Sequence, residues 1–225
     1  MALQVTNLIG FGGRRGSIAL PPNAWIGATN STTNSTNYTF ASQNLGTEHA
    51  NRYIVVGVAS IASFGRTVSS ATINGVSATL VHNPNLGFVG RLIIAPVPTG
   101  ATGDIVINHS GACTSCAIGV WAAYDITSTT AHDLGTTSQA SDVTTISLDV
   151  SANQTIYCSL VIQNGVTIDS LSGATSRARA NSESFYDYAF LDYLATSAET
   201  PHDITWNETG ESFESSGAGA SFTTQ

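Results

Sequence analysis

The feature that most restricts this chain is a succession of short, β-branched runs separated by turn residues, with no sustained 3.6-residue period. NRYIVVGVASIA (51–62) is apolar on both faces, as a central strand is. SATINGVSATLV (70–81) is two runs around Asn74–Gly75. Both of those residues tolerate positive φ, which makes this a hairpin. GRLIIAPVP (90–98) ends in Pro96 and Pro98, which donate no ladder hydrogen bond, so that end lies at an edge or leaves its sheet. DIVINHS (104–110), AIGVWAAYDI (117–126), VTTISLDVS (143–151), TIYCSLVIQ (155–163), GVTIDSLSG (165–173), HDITWNE (202–208) and GAGASFT (217–223) continue the series. FYDYAFLDYLA (185–195) comes nearest to a helical pattern, but its aromatic and β-branched surroundings favour a strand. The polar stretch 28–39, ATNSTTNSTNYT, reads as a low-complexity loop.

Ten or eleven strands at intervals of about 10–15 residues predict an all-β protein. The expected architecture is a two-sheet antiparallel β-sandwich, jelly-roll-like, over residues 23–225 as one domain. Residues 1–22, glycine-rich and closed by Pro21–Pro22, form an extended N-terminal arm ahead of it. GFGGRRG in that arm lacks the spacing and the βαβ context of a phosphate loop.

The surface chemistry follows from what the chain omits. Charged residues are 10% of the total and lysine is absent; 27 serines and 29 threonines take their place. Such strands present hydroxyls rather than charges to water. The net charge of −8 argues against a nucleic-acid partner, which needs a basic stripe. No run reaches the 18 or so apolar residues of a membrane-spanning helix, and the N-terminus lacks the pattern of a signal peptide. The expectation is a chain made in a cytoplasm, which stays there or leaves by lysis or a dedicated route.

The ordered segments 52–60, 69–81, 93–108 and 117–126 resemble a β-sandwich that recurs in bacteriophage and prophage virion proteins: head decoration, spike and tail-associated modules. The resemblance spans residues 51–126 and extends more loosely over 143–225. It implies a structural role on the virion, a multimer (a trimer among the options), and partners among the major capsid or other virion proteins. It implies no catalytic residue, because these motifs are strands and turns.

Residue by residue, chemistry finds little support. GACTSCAIG (111–119) sets Cys113 and Cys116 three apart, downstream of His109. Zinc would need a fourth ligand such as Cys158, and no second C-x-x-C pair exists. A disulfide fits a loop better than a strand, and a cytoplasmically made protein is usually reduced. The favoured reading is a loop entering a strand, with ordinary packing cysteines and Cys158 buried in its apolar run. His49, His82, His109, His132 and His202 are scattered, and no G-x-S-x-G elbow is present. Glu183, Asp187 and Asp192 stand among aromatics, but on a strand Asp187 and Asp192 point to opposite faces and cannot form one glycosidase pair. Asp133 and Asp142 lie in 131–142 without the D-x-D-x-D pattern of a calcium loop. The expectation is therefore no enzyme, no metal and no cofactor.

Two sets of residues carry the functional expectation. Leu8, Ile9, Phe11, Arg14 and Arg15 in the arm would dock onto the particle or a neighbouring subunit. Tyr186, Tyr188 and Trp206 would form a glycan platform or a subunit interface, the platform belonging to an alternative role as a carbohydrate-binding, host-recognition module of a tail or fibre.

Overall fold

The computed structural model describes residues 21–61, 66–85, 88–139, 143–163, 167–181, 186–209 and 215–224. These form seventeen strands and no helix: β1 (Asn23–Ser31), β2 (Ser35–Asn44), β3 (Tyr53–Ile61), β4 (Val68–Ile73), β5 (Val76–Ser77), β6 (Thr79–His82), β7 (Phe88–Pro96), β8 (Thr102–Cys113), β9 (Ser115–Ala123), β10 (Ile126–Gln139), β11 (Val143–Val150), β12 (Thr155–Gln163), β13 (Thr167–Ser172), β14 (Thr175–Asn181), β15 (Tyr186–Leu194), β16 (Glu199–Thr209) and β17 (Ser215–Thr224). All paired strands are antiparallel. The strands missing from the sequence reading are polar. Much of 28–39 belongs to β1 and β2 rather than to a loop. Threonine keeps its β preference even where no apolar alternation marks the strand.

Four sheets form where two were expected. Their orders are β1-β9-β3-β7-β6, β2-β8-β4-β5, β10-β17-β12-β15-β14 and β11-β16-β13. Three cores separate the four layers. Tyr38, Phe40, Ile105 and Ile107 of the first outer sheet pack against Ile54, Val56, Val58 and Ile118 of the first inner sheet. The opposite face of that inner sheet, with Val55, Leu92, Ile94 and Trp121, packs against Tyr157, Val161, Tyr188, Phe190 and Phe222 of the second inner sheet. Ile156, Cys158, Leu160 and Leu191 then meet Ile146, Leu148, Ile204 and Trp206 of the second outer sheet. The physical reason is in β3 and β12. A sheet in a two-layer sandwich has one dry face, whereas β3 and β12 are apolar on both, so each needs a layer on either side.

The two halves repeat one strand order. Counting strands from β1 with β5 left out, since it has no counterpart, and from β10, β10-β17-β12-β15-β14 retraces β1-β9-β3-β7-β6, and β11-β16-β13 retraces β2-β8-β4. The main chain repeats as well. Val97 N–H donates to Arg52 O at 3.0 Å, and Ala195 N–H donates to Gln154 O at 2.9 Å. Arg52 N–H reaches back to His49 O at 3.0 Å, and Gln154 N–H to Ser151 O at 3.1 Å.

The halves are joined by a knob in a hollow. Gly57 and Gly119 are cross-strand partners in the first inner sheet. A Cβ on Gly119 would lie 2.4 Å from the Phe190 ring, and one on Gly57 would lie 2.9 Å from it. Glycine at both positions lets an aromatic of the second half sit against the backbone of the first.

In the two inner sheets, the pairings of β3 with β7 and β9, and of β12 with β15 and β17, run without a register shift. Edge strands are interrupted, as at Trp25/Gly27 in β1, Phe40/Gln43 in β2, Ala131/Asp133 in β10, Leu148/Val150 in β11 and Ser176/Ala178 in β14. Bulges twist an edge and spoil it as a template for another chain. Asn74 and Gly75 turn β4 into β5 with φ of 51° and 77°, and β7 ends at Pro96. Both match the sequence reading.

Candidate functional site

The docking-arm residues Leu8, Ile9, Phe11, Arg14 and Arg15 lie outside the described residues, as do Glu183, Asp142 and the Tyr186 side chain. Tyr188 and Trp206 are described, and both are fully buried. Tyr188 belongs to the middle core and its hydroxyl donates to Ser115 Oγ at 2.5 Å. Trp206 belongs to the third core and its Nε1 donates to Ser215 Oγ at 3.2 Å. Their expected role as a glycan platform or subunit interface is therefore corrected. The alternation that places aromatics on one face is the same whether that face meets water or another layer, and here it meets another layer.

GACTSCAIG spans the turn from β8 to β9. The chain reverses between Cys113 and Cys116, so both side chains face the first core, and both are buried. Neither they nor Cys158 form a disulfide. Tyr38 holds the turn by donating its hydroxyl to Cys113 O at 2.6 Å. Arg91 is fully buried beside it, donating to Ser60 Oγ at 2.8 Å and to Arg66 O. Burial pushes all three thiols up, and the nearby Arg91 cation only partly offsets this for Cys113 and Cys116. Burial also brings the Arg91 guanidinium down to about 10, and burial plus Arg91 brings His109 down to about 4. Burial thus disfavours the thiolate, the reactive form, at all three positions. Among the described residues no three His, Cys, Asp or Glu side chains gather in a way that would hold a metal.

Asp187 and Asp192 do point to opposite faces of β15. Asp192 shares the middle-core face with Tyr188 and Phe190, and Asp187 shares the third-core face with Ala189 and Leu191. Each takes an arginine from β14: Arg179 Nη2 lies 3.1 Å from Asp187 Oδ2, and Arg177 Nε lies 2.8 Å from Asp192 Oδ2. The register shift between Ser176 and Ala178 allows this, because it lets residues two apart serve opposite faces. Burial raises the Asp187 carboxyl, and Arg179 offsets part of that.

Asp192 is also a polar link between the halves, as Tyr188 is through Ser115. Trp121 Nε1, from the first half, donates to Asp192 Oδ2 at 2.7 Å, and Asn23 Nδ2 approaches the same oxygen at 3.4 Å. Sequence reasoning missed this seam. The alternation in SRAR and in FLDY was visible, but the partner Trp121 sits about seventy residues upstream with no local signal.

A second polar cluster ties β15, β16 and the β13–β14 turn together. His202 has Nδ1 2.6 Å from Glu199 Oε2 and Nε2 2.6 Å from Gly173 O. Its ring stacks on Tyr193 at 3.8 Å and 7°. Tyr193 donates its hydroxyl to Glu199 Oε1 at 2.6 Å, and these bonds hold the Glu199 carboxyl below its usual range. With both nitrogens engaged, His202 has no open position for a substrate's proton. Asp133 is occupied too, accepting from the backbone N–H groups of Leu134 and Asp149.

The outer faces are mostly hydroxyl and amide, with a few carboxylates, and bond across their own strands. Asn37 donates to Asn108 and Asn108 to Ser70 across the first outer sheet. Thr145 and Thr205 bond at 3.0 Å, and Ser147 donates to Asp203 at 2.6 Å, across the second. Compared with protein-family models and with curated proteins, the chain matches none.

Proposed function

We propose that this chain is a non-enzymatic structural protein of a bacteriophage virion, a decoration module bound to the capsid by protein–protein contacts. The observation that carries the reading is the strand order. We read β1-β9-β3-β7 facing β2-β8-β4-β5 as a jelly-roll order, and β10 to β17, without a counterpart of β5, as a second. We read the chain as two stacked jelly rolls, an architecture at home in viral shells, which agrees with the resemblance over residues 51–126. The interrupted edges and self-bonded outer faces support a building block that stays soluble at high copy number. The buried thiols and committed His202 supply no competing chemistry.

In this reading the arm, residues 1–22, docks onto the major capsid protein or a neighbouring subunit, and the stacked halves project from the shell. Symmetric placement gives a homo-oligomer, with a trimer as one form, and multiplies modest single contacts into firm retention. The deciding experiment is quantitative mass spectrometry of purified particles. Hundreds of copies per particle would support head decoration, and a few tens or fewer a tail or vertex position. Absence from particles would end the virion reading. The host-recognition alternative loses Tyr188 and Trp206 as its platform, since neither reaches the surface.

A further inference from the structure

One end of the first core is polar and cationic. Ser60 continues the face of Val56 and Val58, Arg91 that of Ile93 and Ala95, and His109 that of Ile105 and Ile107. Arg66 closes this end from outside. Its guanidinium lies over Gly111, where a Cβ would collide with it, so the absent side chain leaves the arginine its place. Gly111 stands two residues beyond His109, on the same face of β8. Arg66 O accepts from Arg91 Nη2, and Arg91 Nη1 donates to Ser60 Oγ at 2.8 Å. Both arginines exert their charge on the Cys113 thiol, and Arg91 also acts on His109. Two guanidiniums and an imidazole therefore gather beside the β8–β9 turn.

Two of these groups are unused. His109 is 5% exposed, and neither ring nitrogen has a hydrogen-bond partner among the described residues. Its ring meets only the edge of Tyr38, at 5.6 Å and 86°. Arg66 Nε is buried and equally without a partner there, and Arg66 takes part in none of the ion pairs formed among the described residues. Polar groups so buried are normally satisfied. A guanidinium only donates, and an imidazole always carries at least one N–H. The charge acting on His109 is a further cation, which with burial drives its proton off. Donors set in a positive field call for an anion. The planar fork of a guanidinium matches two oxygens of an oxyanion better than a spherical halide. There is also a way in: Arg66 and Thr67 are half-buried and Ser110 is exposed, so Arg66 stands between His109 and water.

We propose that Arg66, His109 and Arg91 form a binding site for a small oxyanion of the phosphate or sulfate type at this end of the first core. Arg66 supplies the fork, His109 an N–H from the core side, and Arg91 the charge behind them. The anion ties the chain entering β4 to β8 and closes the end of the core. The fold itself does not require these residues. Counting back from Val97 and Ala195, Arg91 matches Ala189 in the second half, so the site has no copy there. The proposal rests on the fold alone and stands or falls separately from the virion reading.

The test uses the full chain and inorganic phosphate, with sulfate in parallel and sodium chloride at matched ionic strength as the control. Histidine side-chain NMR, with the His109 signal assigned from His109→Gln, reads the site directly. The expected result is a saturable shift of that signal with phosphate and sulfate and none with chloride. Phosphate should also raise the melting temperature more than chloride does. Arg66→Gln should weaken phosphate binding about tenfold or more, while His132→Gln, exposed on β10, should leave it unchanged. Arg66→Lys, which keeps the charge and loses the fork, is a second variant in case Arg66→Gln perturbs folding, and should bind more weakly than wild type. Circular dichroism checks both. The absence of a saturable shift, an equal shift with chloride, or equal phosphate binding by wild type and the folded variants would overturn the site and leave His109 to water.

Discussion

Trp121 Nε1 donates to Asp192 Oδ2 at 2.7 Å, joining the first half of the chain to the second through a residue that is itself paired to Arg177. Asp192 is 2% exposed, so its partners are not interchangeable with water. Trp121→Phe removes the donor together with the five-membered ring that carries it, and should cost about 2–4 kcal/mol from the lost bond and the cavity left behind. Asp192→Ala also strands Arg177 and should cost about 3 kcal/mol, moderated by the exposure of that arginine. Urea denaturation of the two variants and of the double variant would measure the coupling. Strict additivity would mean that the bond contributes nothing.

Gly119→Ala should destabilise by about 1–3 kcal/mol, because its Cβ would meet the Phe190 ring at 2.4 Å. Phe190→Leu in the same chain should recover part of the loss by vacating the hollow. Calorimetric melting of the three variants checks this. A Gly119→Ala protein as stable as wild type would mean that the halves do not interlock there.

Glu199 gives a pH-dependent contribution whose sign is fixed. Its carboxyl is held low by the Tyr193 hydroxyl and by His202. The folded state therefore gains from the ionised form. That gain is complete above the ordinary glutamate value of 4.5 and is lost as pH falls through the lowered folded value. The stability difference between wild type and Glu199→Gln, measured by denaturant titration from neutral to acid pH, should shrink as pH falls. A difference that stays flat would refute the cluster.

All three cysteines are buried. In native protein none should react with an aromatic disulfide reagent over minutes, and all three should react in denaturant. Rapid reaction of Cys113 or Cys116 in the native state would show that the β8–β9 turn opens.

Trp206→Ala should act on stability, not on recognition. Removing a fully buried indole costs about 3–5 kcal/mol. Host polysaccharide should leave the fluorescence of Trp206 unchanged. A clear change would mean that the second outer sheet lifts from its core.

Much of the local fold was legible in the residues. Asn74–Gly75 announces its hairpin, Pro96 ends its strand, and the alternation in 186–194 separates Asp187 from Asp192. The doubling was not legible. Arg52 and Gln154 make the same backbone hydrogen bonds in the two halves, yet share neither charge nor chemistry. Counting along from them, Val55 matches Tyr157 and Gly57 matches Ser159. A repeat carried by backbone topology leaves little trace in side chains that must fit each other across the middle core. The clue that was present, apolar residues on both faces of 53–61 and of 155–163, marks a strand with a layer on either side rather than a central place in one pair of layers. The seam is hidden for a different reason: Asn23, Trp121 and the Arg177–Asp192 pair come from three stretches far apart in sequence, and only the stacking brings them together.

A strand dry on both sides has consequences on an evolutionary timescale. β3 and β12 have no surface on which a substitution can be tried without disturbing one core or the other. The polar, interrupted edge strands are free to change. Divergence should therefore erode the rim first and leave a short apolar signature in the middle of each half. Two distant descendants of such a chain could share their whole architecture while agreeing on little more than the shape of those two strands.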